Sequence, residues 1–206
     1  MDKRAELRVK ALKDLQSSEV LMLDGHFDYG NGYHGRAYLN AHQLFRHPST
    51  IWQFAQDLLD LLPGDLLQRV EVVAGPVTGG ALLAHTIAGL LDSRRSLTHP
   101  RCLFAPFTLR HDGEFTLRSF YRREIAGKRV LVVDDVRNTG DTLARCGGLV
   151  AAADGIVLAT AEIYDRLESI HDLGVPNFAL AEYKAPENLP TATCPLCAAR
   201  VPITEF

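Results

Sequence analysis

The sequence predicts an α/β fold in which helices flank a parallel central sheet. Residues 130–133, Val-Leu-Val-Val, form an apolar run typical of a buried parallel strand, and a Gly-containing turn and a helical pattern follow it. Residues 70–91 repeat this order of strand, Gly-rich turn and helix. Strands that alternate with helices in this way are typical of a Rossmann-like sheet.

Length and composition indicate a globular protein with one domain of ordinary size. The chain has 206 residues, of which 47% are hydrophobic and 23% charged, and its formal net charge is −3. No polybasic run suggests nucleic acid or a membrane as a partner, so we expect small-molecule partners. The N-terminus is charged and no apolar stretch is long enough to span a bilayer, which predicts a cytoplasmic protein.

The N-terminal part predicts two helices with short strands between them. Residues 2–17 place leucines and alanines on one face and charges elsewhere, as an amphipathic helix does. Residues 20–40 alternate aromatic residues with glycine and predict two short strands joined by the Gly30-Asn31-Gly32 turn. The next helix begins at Pro48 and ends before Pro63.

The rest of the chain continues the alternation of strands and helices and ends in a Pro-rich tail. Apolar runs bounded by turn residues mark the strands, and longer apolar stripes mark the helices. We expect strands at 70–74, 101–105, 115–120, 156–163 and 178–181, helices at 81–91, 143–153 and 168–174, and the tail at 184–206.

The turn after strand 130–133 carries the residues of a sugar-phosphate site. Backbone N–H groups and the positive end of the following helix dipole favour a phosphate, and Thr139 and Thr142 add hydroxyl donors. Asp134 and Asp135 repel a bare phosphate, so hydroxyl groups or a divalent metal are their expected partners. A ligand with a phosphate at one end and a diol in the middle fits both requirements.

The segment Val130–Thr142 resembles the 5-phosphoribosyl-1-pyrophosphate (PRPP) motif of type I phosphoribosyltransferases. That resemblance implies the type I phosphoribosyltransferase fold, Mg²⁺ bound together with PRPP, and a homodimer. It implies catalytic roles for Asp134 and Asp135. The residues that it assigns to PRPP and its phosphate are Arg137, Asn138, Thr139, Gly140, Asp141 and Thr142.

The earlier turn, Gly75-Pro76-Val77-Thr78-Gly79-Gly80, is expected to face the same crevice, because both turns follow parallel strands. In the resembling family the equivalent turn binds pyrophosphate, which assigns that role here to Val77, Thr78, Gly79 and Gly80. The family commonly has a non-proline cis peptide there, at Val77–Thr78 by position. Orotate phosphoribosyltransferases often carry a lysine where this chain has Gly79.

Two further segments resemble orotate phosphoribosyltransferases and indicate the base site. The hood, residues 1–47, matches that family at Gly25, Phe27, Asn31, Gly32, His34, Gly35 and Tyr38. Asp165-Arg166-Leu167-Glu168 matches its Asp-Arg-x-Glu, whose arginine reaches the carboxylate of the base. Phe27 and Arg166 are therefore the expected base-binding residues. The alternatives are that His34 and Tyr38 are structural and that Arg166 belongs to a surface ion pair.

The loop expected to close over the site departs most from that family, because no lysine occurs between Lys13 and Lys128. The cations available there are Arg110, His111, Arg118, Arg122 and Arg123. We assign Arg118 to catalysis among them.

The tail contains Cys194-Pro195-Leu196-Cys197, which has the spacing of half a zinc site. His99, Cys102 or a partner chain could complete the ligand set, and a knuckle without metal is the alternative. Cys102 and Cys146 lie in apolar sequence and are expected to be buried thiols, so a disulfide framework is not expected.

Together these observations predict a phosphoribosyltransferase domain at 1–183 and a tail at 184–206. The expected reaction transfers a 5-phosphoribosyl group from PRPP to a base, with orotate or a related pyrimidine as the best candidate. Asn138 disfavours 6-oxopurines, because an amide cannot act as a general base. The alternative is a regulatory protein that senses PRPP or a nucleotide without turnover.

Overall fold

The computed structural model describes residues 3–29, 32–96, 98–168, 171–184 and 188–204. Its helices are α1 (Lys3–Ser17), α2 (Ala41–Phe45), α3 (Pro48–Leu61), α4 (Gly64–Arg69), α5 (Gly79–Arg94), α6 (Ser119–Ile125), α7 (Asp141–Ala151) and α8 (Pro195–Ala198). Its strands are β1 (Leu21–Met22), β2 (Phe27–Asp28), β3 (Tyr33–Gly35), β4 (Tyr38–Leu39), β5 (Val72–Pro76), β6 (Leu103–Leu109), β7 (Phe115–Thr116), β8 (Arg129–Arg137), β9 (Ile156–Asp165), β10 (Asn177–Glu182) and β11 (Leu189–Pro190).

The central sheet has the strand order β10-β9-β8-β5-β6-β7. Every neighbouring pair is parallel except β6 and β7, which form an antiparallel hairpin at the edge. The two strand, turn and helix units therefore lie side by side, and both turns open at the carboxyl edge of the sheet. The predicted α/β fold with a parallel central sheet is confirmed.

Strand β8 is buried on both faces, as its unbroken apolar run predicts. Leu131 and Val133 pack into the cluster formed with α3 and α5, whereas Val130 and Val132 pack into the cluster that contains residues of α7. Because the strand is enclosed on both faces, its polar end, from Asp134 onward, projects at one fixed edge. The core thus fixes the position of the polar residues at the end of β8.

The hood and the tail form one structure. β1 pairs with β4, and a separate small sheet has the order β11-β3-β2, so the tail supplies an edge strand to the hood. Leu189 of β11 pairs with His34 of β3. Residues 20–40 were predicted to form two strands but contain four, β1 to β4, because the outer pair β1 and β4 forms a ladder of its own. β2 and β3 are antiparallel, and Gly30 and Asn31 of the predicted turn lie outside the described residues.

Helix α1 lies against the central sheet. Its buried residues Ala11 and Leu15 join the core, and the Nη2 atom of Arg8 lies 2.9 Å from Oε1 of Glu182 on β10. This helix thus covers the edge of the sheet.

The prediction of a strand at 115–120 is wrong beyond Thr116. β7 ends there, and Ser119–Ile125 is α6, which buries Ile125 in the same cluster as Leu117. The alternation of apolar residues at 115 and 117 resembles a strand locally, but packing of Ile125 under the sheet favours a helix. A helix at 168–174 is also absent from the described residues of that segment, 168 and 171–174.

Candidate active site

A cavity of about 650 Å³ opens at the carboxyl ends of β5, β8 and β9. Several parts of the chain enclose it, namely the two turns after β5 and β8, the end of β9, the hood, the hairpin of β6 and β7, and the tail. Of the residues predicted for the site, those that line the cavity are Val77, Thr78, Gly79, Asp134, Asp135, Asn138, Thr142 and Arg166.

The turn after β8 is held in place from outside the cavity. Gly140 precedes α7 with φ of 83°, a conformation that favours glycine, and a Cβ atom there would lie 2.5 Å from the carbonyl oxygen of His171. The backbone N–H of His171 donates to the carbonyl of Thr139 at 3.1 Å. Of this turn, Asn138 and Thr142 line the cavity, whereas Thr139, Gly140 and Asp141 do not.

The two acidic residues at the end of β8 differ in environment. Asp134 is buried, and its Oδ1 accepts a hydrogen bond from the backbone N–H of Asp135 at 3.0 Å. Burial, and next the negative charge of Asp135, raise the pKa of Asp134 well above its usual range. Asp135 is more accessible, and its Oδ1 accepts from the backbone N–H of Val136 at 3.0 Å. With a proton on Asp134, the pair can donate a hydrogen bond from Asp134 and accept hydrogen bonds at Asp135.

The turn after β5 faces this pair from the other side. The Val77–Thr78 peptide bond is cis, which confirms the expectation from the resemblance. A Cβ atom at position 79 would lie 2.4 Å from Oδ2 of Asp135 and from Cζ of Phe45. A side chain at this position would therefore require the Asp135 carboxylate and the Phe45 ring to move. Gly80 is buried within α5 and does not line the cavity.

Arg137 was predicted to bind phosphate, but its side chain is engaged elsewhere and does not line the cavity. Its Nη2 donates to the carbonyl oxygen of His171 at 3.3 Å, and its Nη1 lies 3.9 Å from Oδ2 of Asp165. Arg137 therefore links the ends of β8 and β9 to the segment after them.

Tyr29 and Tyr38 form the hood side of the cavity. Phe27, predicted to bind the base, is 1% exposed and does not line the cavity, because its ring packs behind Tyr38 with the centroids 5.7 Å apart. The Tyr29 hydroxyl donates to the carbonyl oxygen of Ala37 at 2.5 Å. Sequence reasoning missed Tyr29, although its position beside Phe27 in an aromatic segment was a signal.

Arg166 lines the cavity opposite the two acids. Its Nη2 donates to Oε1 of Glu168 at 3.1 Å, and its backbone N–H donates to the carbonyl of Arg137 at 3.0 Å. Burial raises the pKa of Tyr29, and the positive charge of Arg166 opposes that shift. Among the described residues that line the cavity, Arg166 alone is a lysine or an arginine.

The cations predicted for the closing loop do not line the cavity. Arg118 is exposed and flanks the start of α6, and Arg110 pairs with Asp112 at 2.8 Å. The hairpin of β6 and β7 instead contributes Phe115, whose ring lies 5.3 Å below the guanidinium of Arg145. The structure therefore does not bring Arg118 to the site.

Glu162 lies on β9 beside Asp134 and was not singled out in the sequence. Its Oε1 accepts a hydrogen bond from Nδ2 of Asn177 at 2.7 Å, while its buried Oε2 has no protein partner among the described residues. Burial raises the pKa of Glu162 to about 8. A glutamate inside a run of apolar and small residues was the signal for a buried acid.

The cysteines fall into two groups. Cys102 and Cys146 are free thiols whose pKa values are raised by burial, that of Cys102 to about 11. Cys194 and Cys197 lie beside His26 and His34 of the hood, outside the cavity lining. Neither His99 nor Cys102, the two residues predicted as further ligands, is part of this cluster.

Comparison with known proteins gives one consistent set of relatives. The chain is 33% identical over 196 residues to orotate phosphoribosyltransferase of Erythrobacter litoralis, which covers 95% of each chain. It is 31% identical over 197 residues to orotate phosphoribosyltransferase of Caldanaerobacter subterraneus, again with 95% of each chain covered. No protein-family model matches the chain.

Solved structures share the fold. Orotate phosphoribosyltransferase from Aeropyrum pernix superimposes with a TM-score of 0.64 at 24% identity, over 84% of this chain and 93% of that one. Adenine phosphoribosyltransferase from Saccharomyces cerevisiae gives a TM-score of 0.62 at 20% identity, over 84% of this chain and 99% of that one. None of the described helices has the length and apolar character that crossing a membrane requires.

Proposed function

The chain belongs to the orotate phosphoribosyltransferase family, and we propose that it transfers the 5-phosphoribosyl group of PRPP to orotate. The bond between C1 of the ribose and the pyrophosphate oxygen breaks, and a bond from C1 to a ring nitrogen of orotate forms. The products are orotidine 5′-phosphate and pyrophosphate. One observation carries this proposal. The turns that precede α5 and α7, the two acids Asp134 and Asp135, and Arg166 all line the same cavity.

The two turns suit the two charged ends of PRPP. The turn before α7 presents Asn138, Thr142 and the N-terminus of an 11-residue helix, which favours the 5-phosphate. The turn around Val77–Thr78 precedes α5, a 16-residue helix, and offers backbone N–H groups to pyrophosphate. Both turns border the same cavity, which supports a ligand that is anionic at both ends.

Asp134 and Asp135 lie between these turns, where the ribose of such a ligand would be. A protonated Asp134 donates a hydrogen bond to one hydroxyl oxygen, and ionised Asp135 accepts one from another. Asp135 also fits Mg²⁺, because that ion prefers oxygen ligands and the carboxylate faces the cavity beside the pyrophosphate turn. Bound with PRPP, Mg²⁺ would offset the negative charge that develops on the pyrophosphate.

Arg166 supports a carboxylated base. Its planar guanidinium matches a carboxylate, and Glu168, which holds one of its nitrogens, orients it. Tyr29 and Tyr38 supply aromatic surface for a flat ring at the same side of the cavity. Asn138, which cannot serve as a general base, further favours orotate over a 6-oxopurine.

The residues of the site act by positioning and by charge stabilisation. The transition state carries positive charge on the ribose and negative charge on the pyrophosphate, so it needs aligned ligands more than a protein nucleophile. The hood and the turns hold both reactants against one edge of a rigid sheet, where water is partly excluded.

The proposal is tested by measuring pyrophosphate release from protein, Mg²⁺ and PRPP with a panel of bases. We expect release with orotate and none with adenine, hypoxanthine or uracil. Release with an uncharged base at the same rate would contradict the assignment of orotate. The homodimer stays a prediction, which sedimentation velocity will check.

One observation favours a regulatory role as a second candidate. The described part of the cavity has one cationic side chain, Arg166, and no lysine or arginine near the pyrophosphate turn. A protein of this kind would bind PRPP without turnover. Calorimetric binding of PRPP combined with no pyrophosphate release from any base would support that role over the enzyme.

A further inference from the structure

Four side chains with metal-binding atoms converge at the junction of the hood and the tail. They are His26, before β2, His34 in β3, Cys194 and Cys197. One nitrogen or sulfur atom from each lies within 4.8 Å of all the others. The chain therefore brings together two imidazoles and two thiols that are far apart in sequence.

The distances between these atoms are close to the edges of a zinc tetrahedron. Zn–N bonds of about 2.0–2.1 Å and Zn–S bonds of about 2.3 Å imply N–S edges of about 3.6 Å and an N–N edge of about 3.3 Å. The observed N–S distances are 3.6 Å from Cys194 to His26, 3.7 Å from Cys197 to His26 and 3.3 Å from Cys197 to His34. The nitrogens of His26 and His34 are 2.8 Å apart, which is shorter than that N–N edge, and all four ligand atoms lie within 4.8 Å of one another.

The outer contact of His26 determines which of its nitrogens faces the cluster with a lone pair. Nδ1 of His26 lies 2.8 Å from the carbonyl oxygen of Val201, which can only accept, so Nδ1 donates and Nε2 faces the cluster. Metal-binding histidines commonly donate their second N–H to such an oxygen. Nε2 of His34 lies 3.8 Å from Oδ1 of Asp28, which is too long for a hydrogen bond.

The nitrogens of His26 and His34 that face the cluster are 2.8 Å apart, and they lie 3.7 Å and 3.3 Å from the sulfur of Cys197. His26, His34 and Cys194 are at most 3% exposed, so the polar atoms of the cluster need partners inside the protein. Two thiols beside two imidazoles are a ligand set that favours a metal ion.

The backbone of the tail holds both sulfur atoms toward the cluster. The N–H of Ala198 donates to the carbonyl of Cys194 at 3.1 Å, and the N–H of Arg200 donates to the carbonyl of Cys197 at 2.9 Å. The N–H of Val201 donates to the carbonyl of Leu196 at 2.9 Å, which also positions Val201 for its contact with His26. The tail is thus folded around the cluster by its own backbone hydrogen bonds.

We propose that His26, His34, Cys194 and Cys197 bind one zinc ion that fastens the tail to the hood. Two imidazoles and two thiolates are a tetrahedral zinc set with no open position, which indicates a structural ion. The ion reinforces the pairing of β11 with β3 and the hydrogen bond from Thr204 N to the His26 carbonyl, 2.7 Å long. Because the same hood carries Tyr29 and Tyr38, the zinc holds one wall of the cavity.

The first test measures metal in the native protein purified under reducing conditions. We expect about one zinc per chain, loss of that zinc to a strong chelator, and a lower midpoint of thermal unfolding afterwards. Adding Co²⁺ to the chelated protein should give the visible absorption of tetrahedral cobalt with thiolate ligands. Absence of both bound zinc and the cobalt spectrum would overturn the proposal, and so would a Cys194–Cys197 disulfide that persists under reducing conditions.

The second test uses variants of single ligands. Cys197→Ser removes the one exposed ligand of the cluster and should lower zinc content to a trace, while Cys102→Ser, outside the cluster, should keep it. If Cys197→Ser fails to fold, the cobalt spectrum of the native protein still decides whether the cluster binds a metal ion through thiolates. Unchanged zinc in both Cys197→Ser and His34→Asn would overturn the ligand assignment. These readouts are independent of pyrophosphate release, so they hold whether or not the proposed reaction is correct.

Discussion

Asp134 and Glu162 occupy paired positions on neighbouring parallel strands, and both side chains are buried. Burial is the main cause that raises the pKa of each carboxyl group, and the charge of Glu162 adds to the shift at Asp134. Of the two, Asp134 lines the cavity and Glu162 does not, so Glu162 is a buried neighbour behind the candidate site. Burial favours the neutral form of both carboxyl groups.

Glu162→Gln tests the energetic cost of that burial. The folded protein binds a proton at Glu162 up to about pH 8, while the unfolded chain releases it near the ordinary glutamate pKa of 4.5, so native stability falls as pH rises between these values and then levels off. In the neutral variant this contribution to the pH dependence is absent. Its free energy of unfolding, relative to that of the native protein, should therefore rise by up to about 1.4 kcal/mol for each pH unit in this range. Urea unfolding at several pH values measures the difference.

The matched control is Glu124→Gln, at an exposed glutamate of α6. Its stability should follow that of the native protein at every pH. Equal pH dependence of the native protein and Glu162→Gln would show that Glu162 is ionised when buried.

Asp135→Asn should weaken PRPP binding while leaving the fold intact. The carboxylate lines the cavity, and a hydrogen bond to a charged group contributes roughly 1.5–3 kcal/mol, which corresponds to about a tenfold to hundredfold loss of affinity. Calorimetry with PRPP and Mg²⁺ measures it. Asp65→Asn, at an exposed carboxylate of α4 that does not line the cavity, is the control. Equal affinities for the two variants would remove Asp135 from the ligand site.

The two threonines of the phosphate turn should differ. Thr142 lines the cavity, whereas the Oγ1 of Thr139 is 3.5 Å from the backbone N–H of Asp141 and does not line it. Thr142→Ala should therefore weaken binding of ribose 5-phosphate by roughly 1.5–3 kcal/mol, and Thr139→Ala by less. A larger loss in Thr139→Ala, measured by calorimetry, would mean that the turn rearranges around the phosphate.

Arg166→Lys should raise KM for orotate much more than KM for PRPP. Lysine keeps the charge but loses the planar fork that matches a carboxylate, and Arg166→Ala should be worse because the carboxylate would have no cation. Steady-state kinetics with each substrate varied in turn separates the two constants. Arg122→Lys on α6 is the control, and a parallel rise of both constants would remove Arg166 from the base site.

Gly140→Ala should destabilise the protein by more than about 1 kcal/mol, because alanine is strained at a φ of 83° and its Cβ would meet the His171 carbonyl. The control is Gly148→Ala in α7, where no atom lies within 4 Å of the new Cβ. That change should stabilise the helix by about 0.5–1 kcal/mol. Thermal unfolding of both variants checks the pair, and a neutral Gly140→Ala would show that the turn can relax.

Residues that are contiguous in sequence could be assigned from the sequence. Asp134, Asp135, Asn138 and Thr142 follow one buried strand, so strand geometry and one turn bring them to the same edge. The same reasoning located Val77 and Thr78. Arg137, the last residue of β8, was also predicted for the site, but its side chain contacts Asp165 and the His171 carbonyl, and the local sequence does not specify these contacts.

Contacts between distant segments were beyond the sequence, because only packing determines them. The Cys-Pro-Leu-Cys pair predicted half of a metal site, but pairing of β11 with β3 is what brings His26 and His34 to it. In the hood, core packing takes Phe27 inside and leaves Tyr29 and Tyr38 at the cavity. Local sequence thus predicts the candidate phosphate and ribose residues, whereas the hood side of the cavity and the cluster of two histidines and two cysteines arise only when the two ends of the chain meet.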